Sequence, residues 1–233
     1  MIITPIASSS LANAYILDDG KSPLLIEAGV TLKKLKIASC FRLSSFGGCL
    51  ISHSHMDHAR AVGDLIDFGV DCYMTAETAA ALEVFGHRVR IIEPLKQFVI
   101  GSWVVLPFPT EHDCPGSVGF LLASGSEKIL FATDTAYLRY KFQGITHLLI
   151  ESNYVREILD HNVENGIIDI GRKHRLVKSH FSLENLAEML KANDWGRLEE
   201  CWLLHLSRDN SNEGYMKKTV AGILGKPVYV AKE

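Results

Sequence analysis

The sequence predicts an α+β fold: a four-layer αββα sandwich, two sheets packed face to face with helices covering the outside. Three observations predict it. Short apolar, β-branched runs alternate with helical patterns through two successive halves of the chain. At 233 residues the chain is long enough for one large two-layer core. Hydrophobic residues make up 47% and charged residues 22%, a mix that excludes intrinsic disorder. No linker, low-complexity stretch or internal repeat interrupts the pattern, so residues 1–233 are read as a single domain.

In the amino half, Ile2–Ile6 reads as a strand broken by Ser8–Ser10. Tyr15–Leu17 resumes before the Asp18-Asp19-Gly20 turn, and Leu24–Glu27 is its hairpin partner. Thr31 is the predicted N-cap of a short helix through Ile37. Ser39 to Gly48 is turn-rich, and Cys49–Ser52 follows as a buried strand. Ala59–Phe68 carries Val62, Leu65 and Ile66 at helical spacing. Asp71–Met74 is strand-like, and Thr75 caps an Ala-rich helix reaching about Phe85. Strands follow at Val89–Ile92, Trp103–Phe108, Val118–Leu122 and Ile129–Thr133, with Ser124-Gly125-Ser126 turning the last pair. The carboxyl part holds a strand at Leu148–Ile150, a helix from Ser182 to Ala192 and a strand at Trp202–Leu206. A helix from about Asn212 to Leu224 and a strand at Val228–Val230 complete it.

Charge and composition exclude several functions. Lys+Arg 24 against Asp+Glu 27 gives a net charge of -3, so no bulk positive field gathers a polyanion or an anionic membrane. The opening MIITPIASSS lacks the basic and apolar regions of a secretory signal, and no apolar run approaches the roughly 18 residues of a membrane span. Five scattered cysteines without a CxxC fit a reduced, cytoplasmic protein.

The chemistry concentrates at His53-Ser54-His55-Met56-Asp57-His58, directly after a buried strand. Residues i and i+2 of an extended segment point to one side, so His53 and His55 can grip one ion together. Asp57 and His58, on the turn entering the next helix, can face a second. Imidazole and carboxylate without thiolate suit Zn²⁺, Mn²⁺ or Fe better than a structural cysteine site. Further candidate ligands stand where other strands end: His112, Asp134 and His205.

HxHxDH after a buried strand, followed by His, Asp and His at later strand ends, resembles the metallo-β-lactamase fold hydrolases. The resemblance implies that His53, His55 and His112 bind one divalent ion, that Asp57, His58 and His205 bind a second, and that Asp134 bridges them. Zn²⁺ is the expected ion, with Mn²⁺ as the other choice. The family's early Asp-x-Gly turn stands here as Glu27-Ala28-Gly29. Ser8–Tyr15, His112-Asp113 ahead of Val118-Gly119-Phe120, Ala132–Thr135, Glu151-Ser152-Asn153 and His205–Asn210 are similar to the YycJ/WalJ-like branch. That branch contains phosphodiesterases and exonucleases, and the phage anti-Pycsar cyclic nucleotide phosphodiesterases look like its close relatives. The branch's Gly-His-Leu-Ser-Asn element appears as Ser179-His180-Phe181-Ser182-Leu183.

The resemblance implies hydrolysis by a hydroxide shared between the two ions, oriented by Asp57. His180 is the candidate proton donor to the leaving group, just ahead of a helix N-cap at Ser182 whose free N–H groups favour phosphate. Asp113 is a candidate for steering His112, and Arg208 with Lys173 or Arg175 for touching phosphate. Net charge and the lack of a tRNA-holding insertion favour a small nucleotide, a 3′,5′-cyclic mononucleotide as in anti-Pycsar immune evasion. The alternative is a YycJ/WalJ-like DNA or RNA exonuclease. A thioester or lactone hydrolase and a metal-retaining binding protein are further classes. By the same resemblance the chain is expected to be a homodimer, in a host cytoplasm if phage-encoded.

Overall fold

The computed structural model describes residues 1–232. Its contacts divide the chain into two compact units, Met1–Pro109 with Cys114–Ser126, and Thr110–Asp113 with Glu127–Ala231.

The first unit begins with β1 (Ile2–Ser9), β2 (Ala12–Asp18) and β3 (Leu24–Ile26), followed by α1 (Leu32–Ala38) and β4 (Gly48–Leu50). It continues with α2 (Met56–Ala59), α3 (Val62–Phe68), β5 (Cys72–Met74), α4 (Ala76–Ala81) and β6 (Val89–Ile91). β1 to β6 form a sheet in sequence order, antiparallel across β1-β2-β3 and parallel from β3 onward. A ribbon of β7 (Phe98–Ile100), β8 (Trp103–Pro109) and β9 (Val118–Ser124) is antiparallel throughout.

Three expectations change here. Ser8 and Ser9 do not break the first strand: they pair with Asn13 and Ala12, and the turn falls at Ser10-Leu11. The expected helix Ala59–Phe68 begins only at Val62, as α3, because a separate short helix, α2, ends at Ala59. The break arises because the Ala61 N–H donates to Ala28 O at 2.8 Å, while His58 O accepts from the Ala28 N–H at 2.7 Å. The Ala-rich helix stops at Ala81 rather than near Phe85. Glu83 turns left-handed at φ 54° and the Val84 N–H closes back on Ala79 O, a terminating turn. Thr31 and Thr75 cap as expected, accepting from the Lys34 and Thr78 N–H groups.

The second unit carries β10 (Glu127–Ala132), β11 (His147–Glu151), α5 (Arg156–Glu164), α6 (Ile170–Ser179) and α7 (Leu183–Lys191). β12 (Glu200–Leu204), α8 (Glu213–Leu224) and β13 (Val228–Val230) complete it. β10 to β13 are parallel, in sequence order. Their cores Leu130–Ala132, Leu148–Ile150 and Leu203–Leu204 are buried, the near-continuous apolar pattern of strands covered on both faces. α7 matches its expected span, with Ser182 as N-cap and Leu183, Leu186, Met189 and Leu190 buried. α5 and α6 are not expected from the apolar spacing. α5 buries Leu159, which packs with Tyr154 and Ile168, and Leu176 of α6 joins them, while Asp169 caps α6 through the Arg172 N–H. Among the described residues, no helix is long and apolar enough to cross a membrane.

Asp19 ties the first unit together. One carboxylate oxygen accepts from the Lys21 and Ser22 N–H groups at 2.9 and 2.8 Å, closing the turn after β2. The other accepts from Ser102 ahead of β8 and, at 2.6 Å, from Ser124 at the end of β9. Burial pushes the acid upward, but these four donors win and hold it well below the usual carboxylate range. A depressed folded-state pKa stabilises the fold above the unfolded value and is lost as pH falls through the folded one. Asp19→Ala is therefore expected to cost about 2 kcal/mol in urea unfolding at pH 7, with the difference shrinking below about pH 4. A penalty that stays constant down to pH 2 would contradict this ionic role.

Candidate metal centre

The parallel stretch of the first sheet places one constellation. β3 ends at Ile26 opposite Leu50, the last residue of β4, so Glu27 and the segment Ile51–His53 leave neighbouring strand ends together. The chain stays extended to His55, which is the N-cap of α2, and Asp57 and His58 lie within that short helix. The expected same-side placement of His53 and His55 brings His53 Nε2 to 3.2 Å from His55 Nδ1. Two nitrogens about 2.05 Å from one tetrahedral ion stand about 3.3 Å apart, so the pair fits a shared cation. Asp57 Oδ2 and His58 Nε2 are likewise 3.2 Å apart.

Buried polar residues fix these rings. Ser52 Oγ lies 2.8 Å from His53 Nδ1, which turns Nε2 toward His55. Asn13 Nδ2 donates to Ser9 O at 2.9 Å and meets His58 Nε2 at 3.1 Å. Glu27 faces His58 Nδ1 at 3.6 Å and accepts from the Ser52 N–H at 3.3 Å. Burial pushes the Glu27 acid up, against the pull of His58 and Ser52. Glu27 adopts φ 63°, a left-handed conformation costing on the order of 1–3 kcal/mol in a non-glycine residue. Two residues on, a Cβ at Gly29 would stand 1.7 Å from Asp57 O and 2.8 Å from Asn13 N, so glycine is required where these backbones meet.

The second constellation belongs to the parallel strands of the other unit. Asp134 lies two residues beyond β10, Glu151 ends β11, and His205 follows β12. Parallel pairing brings these carboxyl ends into line, the usual place for a ligand site on such a sheet. Asp134 Oδ1 is 2.7 Å from His205 Nδ1 and Oδ2 is 3.7 Å from His112 Nε2, so the two oxygens face different imidazoles. Asp134, Glu151, His180 and His205 each bring one ligand atom to within 4.8 Å of the others. Asp134 and His205 hold φ values of 46° and 55°. Asn153 secures the second by donating from Nδ2 to His205 O at 2.9 Å. Left-handed backbone at both positions is strain stored where the site is built.

The imidazoles differ in state. His112 Nδ1 lies 3.1 Å from Ser179 O, an acceptor only, so Nδ1 carries the proton and Nε2 presents its lone pair toward Asp134. Ser179 O therefore does the steering expected of Asp113, whose Oδ1 is 3.5 Å away and whose Oδ2 accepts from Arg175 Nε at 2.9 Å. Burial holds the His112 pKa below its ordinary value. In His205 burial pulls down, but Asp134 and Glu151 prevail and push it up to about 10. In His180 burial is likewise outweighed, by Glu151, and the pKa rises.

His180 is the C-cap of α6, and its Nδ1 sits 2.6 Å from Glu151 Oε1. Its side chain keeps 16% exposure where those of His112 and His205 keep 1% and 2%, so it is the ring of this group that reaches solvent. The phosphate-binding helix start expected after it is not available in that form. The Leu183 N–H donates to Tyr154 O at 2.8 Å and the Asn185 N–H to Ser182 Oγ at 3.1 Å. In the first unit, Ser8 Oγ meets Tyr15 Oη at 2.7 Å, and Ser9 Oγ accepts from the Leu11 N–H.

His53, His55, Asp57 and His58 thus come together in the first unit, and His112, Asp134, His180 and His205 in the second. Glu27 is the residue that the sequence places at the early Asp-x-Gly turn, while Glu151 and Asn13, which also contact these rings, were read only as parts of longer motifs. Glu151 and Glu27 each follow an apolar strand, and a lone carboxylate closing such a run was the available signal. The donor set of imidazole nitrogens and carboxylates, without thiolate, fits borderline divalent ions of the Zn²⁺ and Mn²⁺ kind.

Comparisons with known proteins agree in kind. The β-lactamase superfamily domain model matches residues 24–205. Exodeoxyribonuclease WalJ of Streptococcus pneumoniae (strain D39) is 29% identical over 223 residues, spanning 88% of this chain and 81% of the relative. Exodeoxyribonuclease YycJ of Bacillus anthracis is 23% identical, spanning 94% and 87%. Among solved structures, the metallo-β-lactamase fold protein YhfI of Bacillus subtilis superposes with a TM-score of 0.72 at 16% identity, covering 99% of this chain and 96% of its own. That likeness shows the fold, in agreement with the αββα expectation.

Proposed function

We infer that this chain, which belongs to the β-lactamase superfamily, is a metal-dependent phosphodiesterase that removes nucleotides from the end of a DNA strand. His53, His55 and His112 are proposed as ligands of one ion, Asp57, His58 and His205 as ligands of the other, and Asp134 as the bridge. The observation that carries this reading is Asp134 itself, with one oxygen toward His112 and the other toward His205. Zn²⁺ is the proposed ion. Bound there, a divalent pair supplies an activated water and neutralises charge on the phosphoryl oxygens.

The chain's own residues do the rest. Glu151 fixes His180 through Nδ1, which leaves Nε2 to hold a proton for the departing sugar oxygen as the P–O bond breaks. Asp57 orients the attacking water. Glu27, facing His58 Nδ1, holds that ring, a role whose removal typically weakens metal affinity about 10–100-fold.

A DNA substrate ranks above a cyclic mononucleotide, reversing the order expected from composition. The relatives named above are exodeoxyribonucleases. In addition, α6 presents exposed Arg172, His174, Arg175 and Lys178 and ends one residue before His180. A net charge of -3 describes the whole surface; this helix is a local cationic track, and phosphate backbones are held by such tracks. Lys173 and Arg175 are paired with Asp160 at 2.6 Å and Asp113 at 2.9 Å, which makes Arg172 and Lys178 the cleaner test.

Arg172→Glu with Lys178→Glu is expected to weaken single-stranded DNA binding at least tenfold and to flatten its salt dependence by about two phosphate contacts. Turnover of bis-p-nitrophenyl phosphate should stay unchanged. Unaltered DNA affinity, with 3′,5′-cyclic nucleotides hydrolysed faster than DNA, would favour the small-nucleotide reading instead.

A further inference from the structure

The strands that carry Asp134, Glu151 and His205 at their carboxyl ends hold a second cluster at their amino ends. Glu127 opens β10, His147 opens β11, and Glu199 and Glu200 stand at the start of β12. The register that aligns the carboxyl ends aligns these too, with His147 opposite Glu200 and Ile129 opposite His147. Glu127, His147 and Glu199 each bring one ligand atom to within 4.8 Å of the others. His147 is buried, only 4% exposed.

Hydrogen bonding determines which nitrogen of His147 is available. Thr146 Oγ1 accepts from the Lys128 N–H at 2.8 Å and spends its own proton on Lys128 O at 3.0 Å. Its third contact, to His147 Nδ1 at 2.9 Å, must therefore be one in which the ring donates. Glu127 Oε2, 3.3 Å from the same nitrogen, reinforces a proton there. The neutral ring then carries its lone pair on Nε2, where the nearest acidic oxygen, Glu200 Oε1, lies 4.0 Å away, beyond hydrogen-bond reach. A carboxylate holding Nδ1 so that Nε2 can ligate is the arrangement by which proteins orient metal-binding imidazoles.

The charges around the ring point the same way. Three carboxylates crowd one buried imidazole, while the Lys128 ammonium is turned aside to Gln143 O at 2.9 Å. Glu200 is oriented by a neutral donor, Trp202 Nε1, at 3.0 Å. One imidazole nitrogen with several carboxylate oxygens is a donor set for a borderline divalent cation.

We propose that His147, through Nε2, forms with Glu199 and Glu200 a further divalent metal site of the Zn²⁺ class, separate from the centre that holds Asp134, with Glu127 holding the ring at Nδ1. It is a structural clamp joining the amino ends of three strands that come together only in the folded chain.

Metal content by mass spectrometry, after Zn²⁺ loading and gel filtration, tests it. The Asp134→Ala background, in which the hydrolytic centre is expected to lose metal, should retain one zinc equivalent. His147→Gln in that background should remove it, and in the otherwise unchanged protein should remove one equivalent while leaving bis-p-nitrophenyl phosphate turnover intact. Glu199→Ala, at an exposed position, should weaken the same equivalent at least tenfold in a Co²⁺ absorption titration. Identical zinc content with and without His147, or Co²⁺ affinity indifferent to Glu199, overturns the proposal. A hydrolytic centre that itself proved empty would not, because the His147-dependent equivalent is counted separately.

Discussion

Asp134→Ala is expected to lower turnover on the order of 10³-fold or more and to reduce bound metal at the hydrolytic centre. The Asp134 carboxylate is 3% exposed, faces two imidazoles with different oxygens and accepts from Thr133 Oγ1 at 2.7 Å. Removing it deletes the group proposed to set the spacing of two cations, and leaves His205 without its nearest counter-charge. Asp134 also sits at φ 46°, which Ala tolerates poorly and Asn tolerates well. Asp134→Asn is therefore the control: it keeps backbone and shape but removes the charge, and should still lose most activity. Full activity in either variant would refute the bridging role. Equal losses of melting temperature and activity in Ala, with Asn fully active, would assign the residue to the fold alone.

His180→Ala is expected to slow DNA hydrolysis about 10²–10⁴-fold, the range of general-acid contributions, with metal content near that of the unaltered protein. The ring is oriented by Glu151 at 2.6 Å rather than by the ligands of the first unit, so its loss should leave KM and metal largely unchanged while kcat falls. A substrate whose leaving group departs without a proton separates chemistry from structure. Bis-p-nitrophenyl phosphate hydrolysis should fall far less than DNA cleavage, because nitrophenolate needs no acid. Equal losses on both substrates, or loss of metal, would show that His180 ligates or packs instead of donating a proton.

The candidate donors were legible because their chemistry is written locally. His53-Ser54-His55-Met56-Asp57-His58 carries two strand-spaced imidazoles and a helix-entry pair within six positions, and the structure places both pairs at ligand spacing. His112, Asp134 and His205 were legible as polar residues ending apolar runs. Glu151 ends such a run as well, yet its role comes from two residues far along the chain: His180 at Nδ1 and the Phe181 N–H at 3.2 Å. Ser179 O likewise takes over the steering of His112 from Asp113, the sequence neighbour, because α6 delivers a carbonyl to the ring. The helices α5 and α6 escaped pattern reading since few of their side chains are buried. In α6 only Ser179 is, so there was no apolar stripe to see.

What the sequence alone determined is the class of chemistry: nitrogen and oxygen donors without thiolate, at spacings that a strand end and a helix start convert into facing pairs. It also determined most strands, since β-branched apolar runs have few other ways to be buried. The tertiary structure decided how each donor is aimed and supported. The break between α2 and α3 comes from Ala28 bonding to both sides of it, the tautomer of His112 from a carbonyl 67 residues away, and the burial of His147 from strand register. Those outcomes depend on which backbone groups meet across the fold, and a hydrogen bond between distant residues leaves no mark in the local pattern of either.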